Sequence, residues 1–136
     1  MFGMSRNPVA SYAQVSQDIA VETADPHKLI LMLFEGARAA IWIARAHMER
    51  KEIAEKGAAI SKAIDIVNNG LLASLDMNQG EIAERLASLY QYISYRLLWG
   101  NLNNNLAALD EANQLLGELH SAWTMIAPNA NQQAAA

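Results

Sequence analysis

Apolar residues recur every three or four positions over four long stretches of this chain, and short runs of Gly, Asn, Asp and Pro separate them. The first stripe is Leu29, Leu33, Ala37, Ala40, Ala44 and Met48, the spacing of one buried helical face. Asp25-Pro26 announces this helix. The Asp25 carboxylate can accept from the orphan N–H groups of the first turn, and Pro26 at the first position sacrifices no needed donor. The helix end is weakly marked; polar Arg50, Lys51 and Glu52, with Gly57 beyond, place a turn at 51–54. A second stripe, Ile60, Ile64, Val67, Leu71 and Leu75, runs to a turn cluster at 76–80. The third helix is predicted from Glu81 to about Trp99, with Ile82, Leu86, Leu89, Ile93 and Leu97 inward. Gly100 and the Asn-rich stretch 101–105 follow as its break. The fourth carries Leu109, Ala112, Leu116, Leu119, Trp123 and Ile126, and Pro128 ends it.

Four amphipathic helices of similar length on short connections make an all-α, antiparallel up-down four-helix bundle the simplest architecture, spanning 25–127. Residues 1–24 read differently. Gly3, Ser5, Asn7 and Pro8 are turn formers, and Tyr12, Val15, Ile19 and Val21 are isolated apolar anchors, so this segment is expected to be a flexible N-terminal arm and partial cap. Residues 128–136 are polar and small, the composition of a disordered tail.

Composition narrows the functional classes. The 136 residues suit one domain, and such a chain buries roughly two thirds of its unfolded surface. There is no cysteine, which removes disulfides, thiolate metal sites and thiol catalysis. The formal charge of −4 and the lack of a basic stripe argue against nucleic acid. No uninterrupted apolar run is longer than that at 29–34, which is far short of the ~20 residues that span a bilayer. The first residues contain no apolar core of a secretory signal. A cytoplasmic protein without membrane insertion is expected.

Catalytic and cofactor chemistry is missing. A di-iron bundle needs Glu-x-x-His on inward faces, and no glutamate here has a histidine three residues on. His27, His47 and His120 sit in separate segments without metal-ligand spacing. No phosphate-binding glycine loop or nucleophile elbow is present. No cofactor, no metal and no enzymatic activity are therefore expected, and the histidines read as structural or solvated. One alternative is a histidine phosphotransfer bundle, for which His47 with Arg50 and Lys51 nearby is an echo. Its core-side position and the missing glycine count against it.

The informative residues are apolar ones off the core stripes. Tyr92, Tyr95 and Trp99 form a second stripe on the third helix, Leu31 and Trp42 point away from Leu33 and Ala40, and Ile66 is expected to project outward between Ala59 and Ala73. Aromatics at helical spacing are more often packing than binding. Yet three helices each show a surplus, and monomeric proteins seldom leave large apolar patches bare. Grooves that accept a partner's amphipathic helix account for the pattern, and so does homodimerisation of the free protein.

These residues also carry a family resemblance. The run Val21-Glu22-Thr23-Ala24-Asp25-Pro26-His27-Lys28-Leu29-Ile30, continuing through Met32-Leu33-Phe34-Glu35-Gly36-Ala37, is similar to that of the FliS family, which commonly has Ser at the place of Asp25 and often Tyr at that of Phe34. Lys62-Ala63, Ser74-Leu75-Asp76, Leu89-Tyr90-Gln91-Tyr92-Ile93, Asn101 and Ala122-Trp123 follow in the family's order. Gly100 departs from it, standing where the family usually has Ala, and is expected to loosen the end of the third helix; Trp42 is not a family signature.

The resemblance implies a flagellar export chaperone. Its cargo would be the disordered C-terminal segment of flagellin, which wraps around the bundle and becomes largely helical in its grooves. Premature filament assembly in the cytosol is thereby blocked, and flagellin is presented to a component of the flagellar type III export gate. The arm around Tyr12 is similar to the family segment that caps part of the groove in the free chaperone. Tyr12, Leu31, Ile66, Tyr92, Tyr95 and Trp99 are the expected partner-binding residues. An export chaperone of the same architecture with a different cargo is the nearest alternative.

Overall fold

The computed structural model describes residues 25–126. Helix α1 spans Pro26–Glu49. Helix α2 spans Ile53–Asp65 and continues directly as a π-helical segment, Ile66–Leu72. After a 3-10 turn at Met77–Gln79, α3 covers Glu81–Asn103 and α4 covers Leu106–Met125. Among the described residues there is no strand, and the four helices pack as an antiparallel bundle with sequence neighbours adjacent and α4 closing against α1.

Local chemistry sets the boundaries. Asp25 caps α1, its Oδ1 accepting from His27 N at 3.0 Å, with Pro26 in the first turn. The end of α1 is a Schellman turn: Glu52 N donates to His47 O (2.9 Å), Lys51 N donates to Met48 O (3.1 Å), and Lys51 adopts φ 60. The chain does not break at Gly100 as the sequence suggests. Gly100 is buried inside α3, where an added Cβ would lie 3.1 Å from Ala108 Cβ and 3.2 Å from Leu109 Cδ2. This glycine lets α3 and α4 approach closely; the helix stops at Asn104, which is left-handed (φ 50, ψ 47), and Asn105 then caps α4 through Ala108 N.

The core takes Phe34, Ile41, Ile60, Val67, Leu71, Ile93, Leu97, Leu109 and Leu116. Three inward or outward expectations are overturned. Ile66 does not project outward: it is fully buried, because α2 and its π-helical continuation are covered by both α1 and α3 and so bury a wide arc. The i→i+5 bonding there also turns later side chains back relative to an α-helix. Ile82 is 71% exposed rather than inward, since in the first turn of α3 the neighbouring Ala83 takes the buried side. Ile126, just past α4, is likewise exposed.

Polar side chains clasp the helices. His27 and Trp123 stack at 5.2 Å between ring centroids. Lys56, almost fully buried, donates to Asn101 O (2.9 Å) and Asn104 Oδ1 (2.5 Å), so the start of α2 holds the carbonyl-rich end of α3. Ser94 Oγ on α3 donates to Asn68 Oδ1 in the π-helical segment at 2.6 Å.

Candidate partner-binding surface

Helix α3 buries Ala83, Tyr90, Ile93, Ser94, Leu97 and Gly100. Its opposite face should be polar, but Tyr92, Tyr95, Leu98 and Leu102 are exposed there and Trp99 is half-buried beside them. At 1.5 Å per residue the stripe runs about 15 Å, long enough for two to three turns of a docked helix. Leu98 and Leu102 escaped the sequence reading. Their signal was present, at three and seven residues beyond Tyr95, but the inward Leu97 drew the assignment.

One edge of this stripe is fixed from α4. Glu111 accepts from Tyr92 Oη and from Arg96 Nε, both at 2.7 Å, and the Arg96 guanidinium lies 4.8 Å from the Trp99 ring centroid. The hydrogen bond from Tyr92, then that from Arg96, hold the Glu111 carboxyl below its ordinary range; the same bond pushes the Tyr92 phenol up. Two aromatic residues are thus oriented by a polar network rather than left to wave in solvent, which lowers the entropy lost when a partner lands on them.

On α1, Trp42 and Ile43 are exposed and Leu31 is half-buried. The seam between α1 and α4 is polar. Arg45 donates to Asp110 through Nε (2.8 Å) and Nη2 (3.3 Å) and to Glu49 through Nη1 (3.0 Å). Two turns earlier Arg38 donates from Nε to Asn113 Oδ1 (3.1 Å), and its Nη1 lies 3.3 Å from His120 Nδ1.

Of the expected binding residues, Tyr92, Tyr95 and Trp99 share one face, Leu31 lies apart on α1, and Ile66 is in the core. Tyr12 lies outside the described residues. The histidines are engaged with neighbours: His27 against Trp123, His120 stacked on Phe34 at 5.7 Å, and His47 Nδ1 2.6 Å from Glu52 Oε1. Among the described residues no group of His, Asp and Glu could hold a metal ion, and no helix is long and apolar enough to cross a membrane.

A family model described as flagellar protein FliS matches residues 8–130. The chain is 47% identical over 126 residues to the flagellar secretion chaperone FliS of Salmonella typhimurium, covering 92% of this chain and 93% of that one. It is 43% identical over 113 residues to the flagellar secretion chaperone FliSB of Pseudomonas aeruginosa, covering 82% and 89%. With FliS of Bacillus subtilis the identity is 30% over 118 residues, covering 87% and 84%.

Proposed function

The chain belongs to the FliS family of flagellar proteins, and from that premise we propose that it is a cytoplasmic, non-enzymatic export chaperone that holds the C-terminal segment of flagellin and hands it to the flagellar export gate. The observation that carries this reading is the exposed apolar face of α3, Tyr92, Tyr95, Leu98 and Leu102 with Trp99 beside them. A disordered cargo segment that becomes helical on such a face buries its own assembly surface and offsets part of its ordering entropy with apolar contact. No nucleotide, metal or other cofactor takes part. The relatives are named as flagellar secretion chaperones, which supports the same role.

Residues 1–24, with Tyr12, act as an intramolecular cap over part of the groove in the free protein, and a second copy of the chain is an alternative occupant of the same apolar face. Titration calorimetry with flagellin and with flagellin lacking its C-terminal segment tests the reading. One-to-one binding with a negative heat-capacity change is expected for the first and loss of binding for the second. Undiminished binding of the truncated flagellin overturns the cargo assignment.

A further inference from the structure

The arginines of the described residues fall into two kinds. Arg45, Arg50, Arg85 and Arg96 each reach a carboxylate. Arg38 does not. Its acceptors are the Asn113 carboxamide and His120 Nδ1, and a ring nitrogen that accepts from a guanidinium is unprotonated. Arg38 and Arg45 lie two turns apart on the same face of α1 and both reach across to α4. At the upper level the charge is met by Asp110 and Glu49; at the lower level no carboxylate meets it.

What lies around Arg38 is equally specific. Its guanidinium passes over Gly117, where an added Cβ would stand 3.1 Å from Cζ and 3.1 Å from Nη2. A Cβ at 117 would be tighter than an ordinary contact, and the guanidinium would have to give by a few tenths of an ångström. The glycine therefore lets the guanidinium lie flat on α4. Among the described residues Nη2 makes no hydrogen bond, so its two N–H groups remain for a ligand. The guanidinium borders an open groove of about 630 Å³ floored by Gly117, Ser121 and Ala122 and edged by Gln114 and Met125. Glu118 also lines the groove, and Glu35 lies 3.9 Å from His120 on the far side of that ring. The groove is thus cationic at one point, with small residues beneath and one acid, Glu118, in its lining.

We propose that Arg38 is a specificity-determining residue of this groove, which receives a helical stretch of the cargo protein and takes a carboxylate of that stretch on its Nη2 edge. The assignment rests on the chaperone reading above but concerns a different face from the aromatic stripe of α3. A carboxylate matches the uncompensated charge and accepts a charge-assisted bond from Nη2, stronger than one to a neutral backbone carbonyl. Glu118 in the lining opposes a second negative charge nearby, so the groove selects one acidic residue set among neutral or basic ones.

Calorimetry on the full-length protein with the flagellin C-terminal segment tests this, using Arg38→Gln, Gly117→Ala, and versions of the segment in which each Asp or Glu is replaced in turn by its amide. Arg38→Gln leaves a shorter, uncharged polar chain; Gly117→Ala keeps the arginine but shifts it by a few tenths of an ångström. Arg38→Gln is expected to weaken binding about tenfold to a hundredfold and Gly117→Ala to weaken it less, and amide replacement at one position of the segment should weaken binding to the unaltered protein by the same factor as Arg38→Gln. Combining that amide with Arg38→Gln should cost nothing more. Equal affinity of the unaltered protein and Arg38→Gln for a segment that does bind overturns the Arg38 assignment alone, as do losses that simply add. Failure of the segment to bind the unaltered protein overturns the cargo reading and this assignment with it. The amide series alters no residue of the chaperone, so a folding defect in either variant leaves the assignment testable.

Discussion

His27 and Trp123 hold each other twice: Trp123 Nε1 donates to His27 O at 2.9 Å, and His27 Nε2 lies 2.8 Å from Trp123 O. The two residues open α1 and close α4, and they sit in the two stretches, Asp25-Pro26-His27 and Ala122-Trp123, that matched the family at opposite ends of the sequence. The fold explains why those stretches belong together. Trp123→Phe keeps the ring stack and removes one donor, so it should lower unfolding free energy by about 1 kcal/mol; His27→Ala removes stack and bonds together and should cost about 3 kcal/mol. Urea denaturation of each variant measures both. A Trp123→Phe loss as large as that of His27→Ala would show that the indole donor dominates the clasp.

Tyr90 is buried against Phe34, and burial pushes its phenol from 10.0 up to about 12. The folded chain keeps this proton after the unfolded chain has lost it. Stability from this residue is therefore intact below pH 10 and is lost progressively as pH rises toward 12, by roughly 2 kcal/mol in all. Denaturation at stepped alkaline pH should show a steeper decline in the wild type than in Tyr90→Phe. Parallel declines would mean that the ring finds solvent before it ionises.

Trp99 separates binding from folding. It is half-buried, touches the Arg96 guanidinium and borders the exposed stripe. Trp99→Ala should weaken cargo binding by about 2 kcal/mol and shift the unfolding midpoint less. Collapse of the fold with normal binding by the folded fraction would return this residue to the core.

Lys56 holds the end of α3 through the Asn101 carbonyl and the Asn104 side chain, and among the described residues it pairs with no carboxylate. Lys56→Met fills the same volume but leaves the Asn101 carbonyl and the Asn104 side chain unpaired, at a cost of about 2 kcal/mol. Hydrogen exchange should quicken first at the last turn of α3 and at the cap of α4. A uniform loss across the bundle would argue against a local clasp.

Removal of residues 1–16 tests the proposed cap. A competing intramolecular segment lowers apparent affinity by the fraction of open chaperone, so the shortened protein should bind an isolated flagellin segment as tightly as the full chain or more tightly. A large loss of affinity would make the arm a cargo contact.

Most of the bundle was legible because its signals are local. Asp25-Pro26 is a cap that needs no tertiary help, and stripes such as Ile60–Val67–Leu71 or Leu109–Ala112–Leu116 follow the helical period. The misreadings arise where another helix decides. The left-handed position after α1 is filled by Lys51 rather than glycine, so the turn lacks its usual mark. Gly100 looks like a stop, yet it serves close packing against Ala108. Ile66 lies outside the drawn stripe but is covered because two helices flank α2. On the surface, Tyr92 and Tyr95 stood out as aromatics on a face that should be polar. Arg38 did not, since a charged residue on a helix ordinarily reads as solvated; its setting depends on Gly117 and His120 from another helix.

The clasp of His27 with Trp123 also gives the molecule a direction. Asp25 and Ile126 leave the bundle at one pole, whereas the tight connections at 50–52 and 104–105 close the other. Chain continued from either end of the described residues therefore starts at the same pole, opposite those two connections. A body that meets the pole formed by 50–52 and 104–105 would approach the fold from the side opposite both ends of the described chain.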